Sequence, residues 1–151
     1  MFVKDRKVQL SPAQILVAED SLAWQRFALI YFEAKTDFKI ITMATDGLEA
    51  VQKANELQPD VILMDISLPG INGIEAARQI RTASPGSKIL FWSTLDQPEI
   101  IQAAFEAGGS GYVLKQDSSR DLMLGIKAAL HGQRFVSEGL MDGQRGSNAG
   151  K

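Results

Sequence analysis

Short, unbroken apolar runs alternate along this chain with longer stretches in which apolar residues recur every third or fourth position. The runs lie in Ile15 to Ala18, Val61 to Met64, Lys88 to Thr94 and Gly111 to Lys115, and Phe38 to Ala44, interrupted by Lys39 and Thr42, reads as a further strand. A run this short, bounded by turn residues, predicts a strand buried on both faces, as in a parallel sheet. The stretches between predict crossover helices. Ser21 caps a helix from Leu22 to about Lys35, with Trp24, Phe27, Ile30 and Tyr31 at helical spacing. Asp46 with Glu49 has the spacing of a capping box, and Leu48, Val51, Ala54 and Leu57 form the inward stripe expected of the second helix. Pro59 stops it. Asn72, with Glu75 three residues on, starts a third helix carrying Ile74, Ala77 and Ile80 inward. Pro98 suits the first turn of a fourth, which ends at Gly108 and Gly109. The fifth runs from about Ser118 to Leu130, with Leu122, Ile126 and Ala129 facing in. Five β/α units in series predict a doubly wound α/β fold.

Chemistry gathers where the apolar runs stop. Val61 to Gly70, VILMDISLPG, puts the carboxylate of Asp65 at the carboxyl end of its strand, before a loop broken by Pro69 and Gly70. In open α/β sheets that end faces the ligand crevice. ILVAED delivers Glu19 and Asp20 together at the end of the first strand. Three uncompensated carboxylates in one crevice would repel one another, so they call for a hard cation. KILFWST ends on the hydroxyls of Ser93 and Thr94, and GYVLK on the ammonium of Lys115. Each residue has an ordinary explanation alone: a helix cap, a turn aspartate, a hydroxyl cap or a solvated strand end. Acid pair, acid, hydroxyl and base at successive strand ends of one sheet favour a functional site.

Composition narrows the picture further. With 151 residues, 45% hydrophobic and 23% charged, the chain is expected to form one soluble domain with a sizeable core. A net charge of −2 gives this segment no electrostatic reason to bind nucleic acid or a membrane. Cysteine is absent, which excludes disulfides and thiolate metal sites and suits a reducing, cytoplasmic compartment. MFVKDRKVQLSP has an acid among its bases and no long apolar core, so neither a signal peptide nor a membrane span is expected. Lys4, Arg6 and Lys7 read as a solvated tail, His131 as a complement to a helix dipole, and Trp24 and Trp92 as packing residues.

The order of these strand ends resembles the receiver domain of two-component response regulators, from about Gln14 to His131. The resemblance implies a flavodoxin-like, doubly wound, five-stranded parallel sheet of order 2-1-3-4-5 with five helices. It divides the chain into an extension over residues 1–12, a receiver over 13–132 and a linker or tail over 133–151. It also implies that Asp65 accepts a phosphoryl group from a histidine kinase or phosphotransfer protein. Mg²⁺ would then be held by Glu19, Asp20, Asp65 and the backbone carbonyl of Ser67. Ser93, Thr94 and Lys115 would contact the phosphoryl group, and Tyr112 would turn inward behind Ser93 as the surface switches and two copies associate. No outside substrate is turned over in such a scheme, so the chain is not expected to be an enzyme.

Two positions depart from the common receiver pattern. Glu19 stands where many receivers have Asp, which lengthens the reach to a metal. Gln116 stands where many have a proline preceded by a cis bond, so a trans bond is expected, or a strained exception, a cis bond here costing roughly 2.5–4 kcal/mol. That missing proline, GGSGYVLK and ALHGQRFVSEGL resemble the NarL/FixJ-type regulators. In those a helix-turn-helix domain follows and the output is transcription. The chain is then either a receiver cut from such a regulator or a stand-alone receiver whose output is binding to a partner protein. Rival chemistries fit less well. A haloacid-dehalogenase-type phosphohydrolase would carry a second acid where Ser67 stands, and a flavodoxin-like binder would need a phosphate-cradling loop where Glu19 and Asp20 stand. A receiver-like module that is never phosphorylated would lack an acid or the lysine.

Overall fold

A computed structural model of the chain describes residues 11–140. Most of the expected N-terminal extension and the end of the expected tail lie outside the described residues. The apolar runs become β1 (Ala13–Ala18), β2 (Phe38–Ala44), β3 (Val61–Met64), β4 (Lys88–Ser93) and β5 (Gly111–Leu114). A further strand, β6 (Phe135–Val136), follows. All pair in parallel, in the order β2-β1-β3-β4-β5-β6. The helices are α1 (Leu22–Glu33), α2 (Gly47–Leu57), α3 (Gly73–Ala83), α4 (Pro98–Glu106) and α5 (Ser118–Leu130). This is the flavodoxin-like order that the sequence implies, with a sixth strand added at the edge.

Because successive side chains of a strand point to opposite faces, each central strand feeds two cores. Ile15, Val17, Val61, Leu63, Leu90, Trp92 and Val113 pack with Ala28 and Phe32 of α1 and with Leu122 and Ile126 of α5. Their neighbours Leu16, Ile62, Met64, Phe91 and Tyr112 pack with residues of α2, α3 and α4 on the other face. The helices begin where side chains can stand in for missing backbone partners. The N–H groups of Trp24, Glu49 and Glu75 donate to Ser21 Oγ at 3.4 Å, Asp46 Oδ1 at 2.8 Å and Asn72 Oδ1 at 2.9 Å. Glu49 completes its cap on the Thr45 N–H, at 2.6 Å, one residue before the N-cap.

Three expectations change. The inward face of α2 is Gly47, Ala50 and Ala54, while Leu48 and Leu57 are exposed. The reason is proximity: Gly47 lies so close to the Ile71 carbonyl that a Cβ there would collide with it. Small residues take the close face and the leucines are turned out. In α1, Ile30 is exposed and Ala28 and Phe32 take the buried positions. At the C-terminal end, the stretch expected as linker from residue 133 packs on the domain. Ser137 donates its N–H to the Tyr112 carbonyl and accepts the Leu114 N–H on Oγ, both at 3.0 Å. Leu140 is buried in the same core as Tyr112.

Lys115–Asp117 forms a short 3₁₀ turn leading into α5, and the Lys115–Gln116 bond is trans, since no described peptide bond is cis. Among the described residues no helix is long and apolar enough to cross a membrane.

Candidate functional site

Sheet register brings the charged strand ends level. Ala18 pairs with Met64, so Glu19 and Asp65 leave β1 and β3 side by side. Ser93 pairs with Leu114, which sets it beside the residue preceding Lys115. The Asp65 N–H donates to the Ala18 carbonyl at 3.0 Å, and the Glu19 N–H to the Ala44 carbonyl at 2.9 Å, so both acids hang from the sheet's own ladder. The loop after Asp65 is held by the Gly73 N–H, which donates to the Ile66 carbonyl at 2.8 Å. Gly73 must be glycine here, because a Cβ would collide with the Asp65 carbonyl oxygen.

Carboxylate oxygens of Glu19, Asp20 and Asp65 lie within 4.8 Å of one another. Glu19 and Asp65 are buried, whereas Asp20 is exposed. Burial pushes the Glu19 carboxyl above its ordinary range, against the opposing pull of Lys115. It does the same to Asp65, where the Lys115 charge and the Ser67 backbone N–H pull the other way. Lys115 Nζ lies 2.6 Å from Glu19 Oε1 and 3.5 Å from Asp65 Oδ1. The closer contact is a charge pair without hydrogen-bond alignment, and Glu19 Oε1 is a buried oxygen without an aligned donor. Glu19 Oε2, by contrast, accepts the Ser21 N–H at 2.9 Å. One ammonium among three carboxylates leaves an excess of negative charge. An oxygen-only donor set with more negative than positive charge suits a hard divalent cation.

The other predicted residues divide. Ser93 is buried and its Oγ accepts the Leu95 N–H at 3.0 Å, which leaves its own O–H to donate. Thr94 and Ser67 are exposed beside it and beside Asp65. Tyr112 is fully buried and donates its hydroxyl to the Leu95 carbonyl at 2.7 Å. Its hydroxyl is therefore bonded to the backbone rather than to water. The ring already lies inward, and burial raises its pKa to about 12. Leu95 links the two, binding Ser93 through its N–H and Tyr112 through its carbonyl.

Sequence reading missed Leu95 and the surroundings of Lys115. The Lys115 ammonium lies 5.3 Å from the ring centroids of both Trp24 and Trp92. The only signal for this was two large aromatics at apolar positions near strand ends that carry charge. His131 behaves as expected: it follows α5, with Nδ1 2.7 Å from the Lys127 carbonyl.

Residues 15–127 match the family model described as the response regulator receiver domain. The oxygen regulatory protein NreC of Staphylococcus aureus is 32% identical over 124 residues, 82% of this chain and 57% of that protein. The chain thus spans little more than half the length of this curated relative. A two-component response regulator of the LuxR family from Aurantimonas sp. SI85-9A1 superposes with a TM-score of 0.82 at 32% identity, covering 87% of this chain and 94% of that one. The response regulator domain of Thermotoga maritima CheB gives 0.74 at 30% identity, over 80% and 97%. With its acids, hydroxyl and lysine at the carboxyl edge of the sheet, the chain belongs to the response regulator receiver domains of two-component systems.

Proposed function

We propose that Asp65 is the phosphoacceptor of this receiver, and that it takes its phosphoryl group from a histidine kinase or phosphotransfer protein with Mg²⁺ bound beside it. The observation that carries this reading is the convergence of Glu19, Asp20 and Asp65 within 4.8 Å, with Lys115 3.5 Å from Asp65. Glu19, Asp20, Asp65 and the Ser67 carbonyl would hold the metal. Bound there, Mg²⁺ would neutralise charge on the transferring phosphoryl group. An Asp65 carboxylate oxygen forms the new bond to phosphorus as the phosphorus–nitrogen bond of a phosphohistidine breaks. The electron pair returns to the imidazole, which takes up a proton. Lys115 leaves its contact with Glu19 to face a phosphoryl oxygen, and the Ser93 O–H donates to another. Thr94, exposed at the same strand end, would contact the incoming group.

Output follows from the Ser93–Leu95–Tyr112 linkage. A Ser93 hydroxyl drawn to a phosphoryl oxygen strains its bond from the Leu95 N–H, and the Leu95 carbonyl is what holds Tyr112. The phosphorylated and free forms then favour different settings of the surface around α4 and β5. Self-association on phosphorylation, an output in transcription or in binding to a partner protein, and a cytoplasmic location complete the reading.

Incubation with a small phosphodonor and Mg²⁺, followed by intact mass, tests it. One alkali-labile phosphoryl group is expected on the parent, and none on Asp65→Asn or in the presence of chelator. A phosphoryl group that survives Asp65→Asn would overturn the assignment.

A further inference from the structure

Nothing in the phosphoacceptor reading uses Trp24 or Trp92, yet both touch its lysine. The two rings meet edge to face, with centroids 5.3 Å apart and planes at 79°. Each centroid is 5.3 Å from Lys115 Nζ, inside the distance of about 6 Å at which a ring quadrupole attracts a cation. Trp92 also reaches the other end of the same residue. Its Nε1–H donates to Ser118 Oγ at 2.8 Å, and the Ser118 hydroxyl donates to the Lys115 carbonyl at 2.6 Å. Trp92, Ser118 and Lys115 are all buried. Phe27 of α1 backs both rings, 5.6 Å from Trp24 and 6.2 Å from Trp92.

A lysine side chain is a flexible stem with large rotamer entropy, ending in a point charge. Something must confine it if its charge is to meet a transferring phosphoryl group. A further carboxylate would confine it but would also neutralise it and compete with the phosphoryl oxygens. An aromatic face attracts the ammonium without carrying a net charge. It can hold the cation equally well while its front partner changes from Glu19 to a phosphoryl oxygen.

We propose that Trp24 and Trp92 are positioning residues for Lys115, forming a neutral aromatic cradle that keeps the ammonium at the Asp65 edge with its charge available. The proposal rests on the phosphoacceptor reading, and the two fail differently. If the parent takes no phosphoryl group on Asp65, that reading fails; if it does, the variants below decide the cradle.

The experiment uses the full chain carrying Trp24→Leu, Trp24→Phe, Trp92→Leu or Trp92→Phe, each checked for folding by thermal denaturation. Trp24 is only partly buried, so its variants provide a test even if those at the buried Trp92 fail to fold. Phosphorylation by a small phosphodonor is timed by intact mass, and Mg²⁺ affinity is measured separately. Trp24→Leu should phosphorylate on the order of tenfold more slowly than the parent, the scale of a desolvated cation–π contact. Trp24→Phe, which keeps an aromatic face, should recover most of that rate, and Mg²⁺ affinity should match the parent in both. A spectroscopic arm needs no turnover. In Trp24→Phe, which leaves Trp92 as the sole tryptophan, Mg²⁺ with beryllofluoride should shift the emission, and adding Lys115→Met should abolish the shift. A folded Trp24→Leu that phosphorylates at the parental rate would overturn the cradle. So would equal losses of rate in the Leu and Phe variants, or an emission shift that persists without Lys115.

Discussion

The two faces of this sheet are built from different materials. On the α1 and α5 side, Trp24, Phe27, Tyr31, Phe32 and Trp92 pack ring against ring in a nearly continuous aromatic layer. On the α2, α3 and α4 side, Ala50, Ala54, Ala76, Ala77 and Ala104 bring the helices close, and the space is filled by aliphatic residues with Phe91 and Tyr112. Large rings fill a wide gap and offer an attractive surface to the Lys115 ammonium. Small residues allow backbones to approach, which is how α3 comes to lie against the Asp65 carbonyl through Gly73. One face positions the charge, and the other positions the acceptor loop and the Leu95–Tyr112 latch.

The largest effects should come from opening either layer. Trp92→Ala and Ile80→Ala should cost about 3–5 and 2–5 kcal/mol of stability respectively, since each leaves a cavity beneath a fully buried side chain. Urea denaturation measures both. The difference between them lies in chemistry: under conditions where both remain folded, only Trp92→Ala should slow phosphorylation. Equal slowing in the two would break the division between the faces.

Gly73→Ala comes next. Alanine usually gains up to about 1 kcal/mol over glycine within a helix. Here the added Cβ would strike the Asp65 carbonyl, so a loss of about 1–3 kcal/mol is expected. A stabilised variant would mean that the close approach does not govern this position.

The strand ends, the α2 stripe and Trp92 show how much of this is legible in the sequence. Strand ends were readable because a parallel strand buried on both faces leaves an unmistakable apolar run, and a charge at its end stands out against it. The α2 stripe differs because periodicity favours large apolar residues, whereas the nearby Ile71 carbonyl requires glycine at position 47, Ala50 and Ala54 share that buried face, and Leu48 turns out. Trp92 was read as packing, which it is, but its contact with Lys115 depends on register between β4 and β5 that no local pattern carries. Strand β6 is two residues long and exists only because the edge of β5 is there to pair with. A run that short has no periodicity to detect.

Ser137→Ala should cost about 1–3 kcal/mol, because it leaves the buried Leu114 N–H without its acceptor. Amide exchange should show the loss as faster exchange over residues 111–114. Unchanged protection there would mean that β6 contributes nothing to the edge it covers.

The smallest effect is alkaline. Burial holds the Tyr112 hydroxyl at about 12, above its ordinary 10.0. A folded-state pKa raised in this way contributes stability that is complete below pH 10 and is lost as pH rises from 10 toward 12. The parent should therefore lose about 1 kcal/mol more than Tyr112→Phe between pH 9 and 11. Parallel curves would indicate that the phenol is not buried in solution.

The central claim is that three acids bind the metal while Lys115 serves the phosphoryl group, and Mg²⁺ titration of the parent, Asp20→Ala and Lys115→Ala tests it most directly. Asp20→Ala should weaken Mg²⁺ binding, because it removes one charge from a site with few protein ligands. Lys115→Ala should bind Mg²⁺ as well as the parent or better, because it removes the cation that lies 2.6 Å from Glu19. An equal loss of Mg²⁺ affinity in the two variants would contradict the assignment of roles.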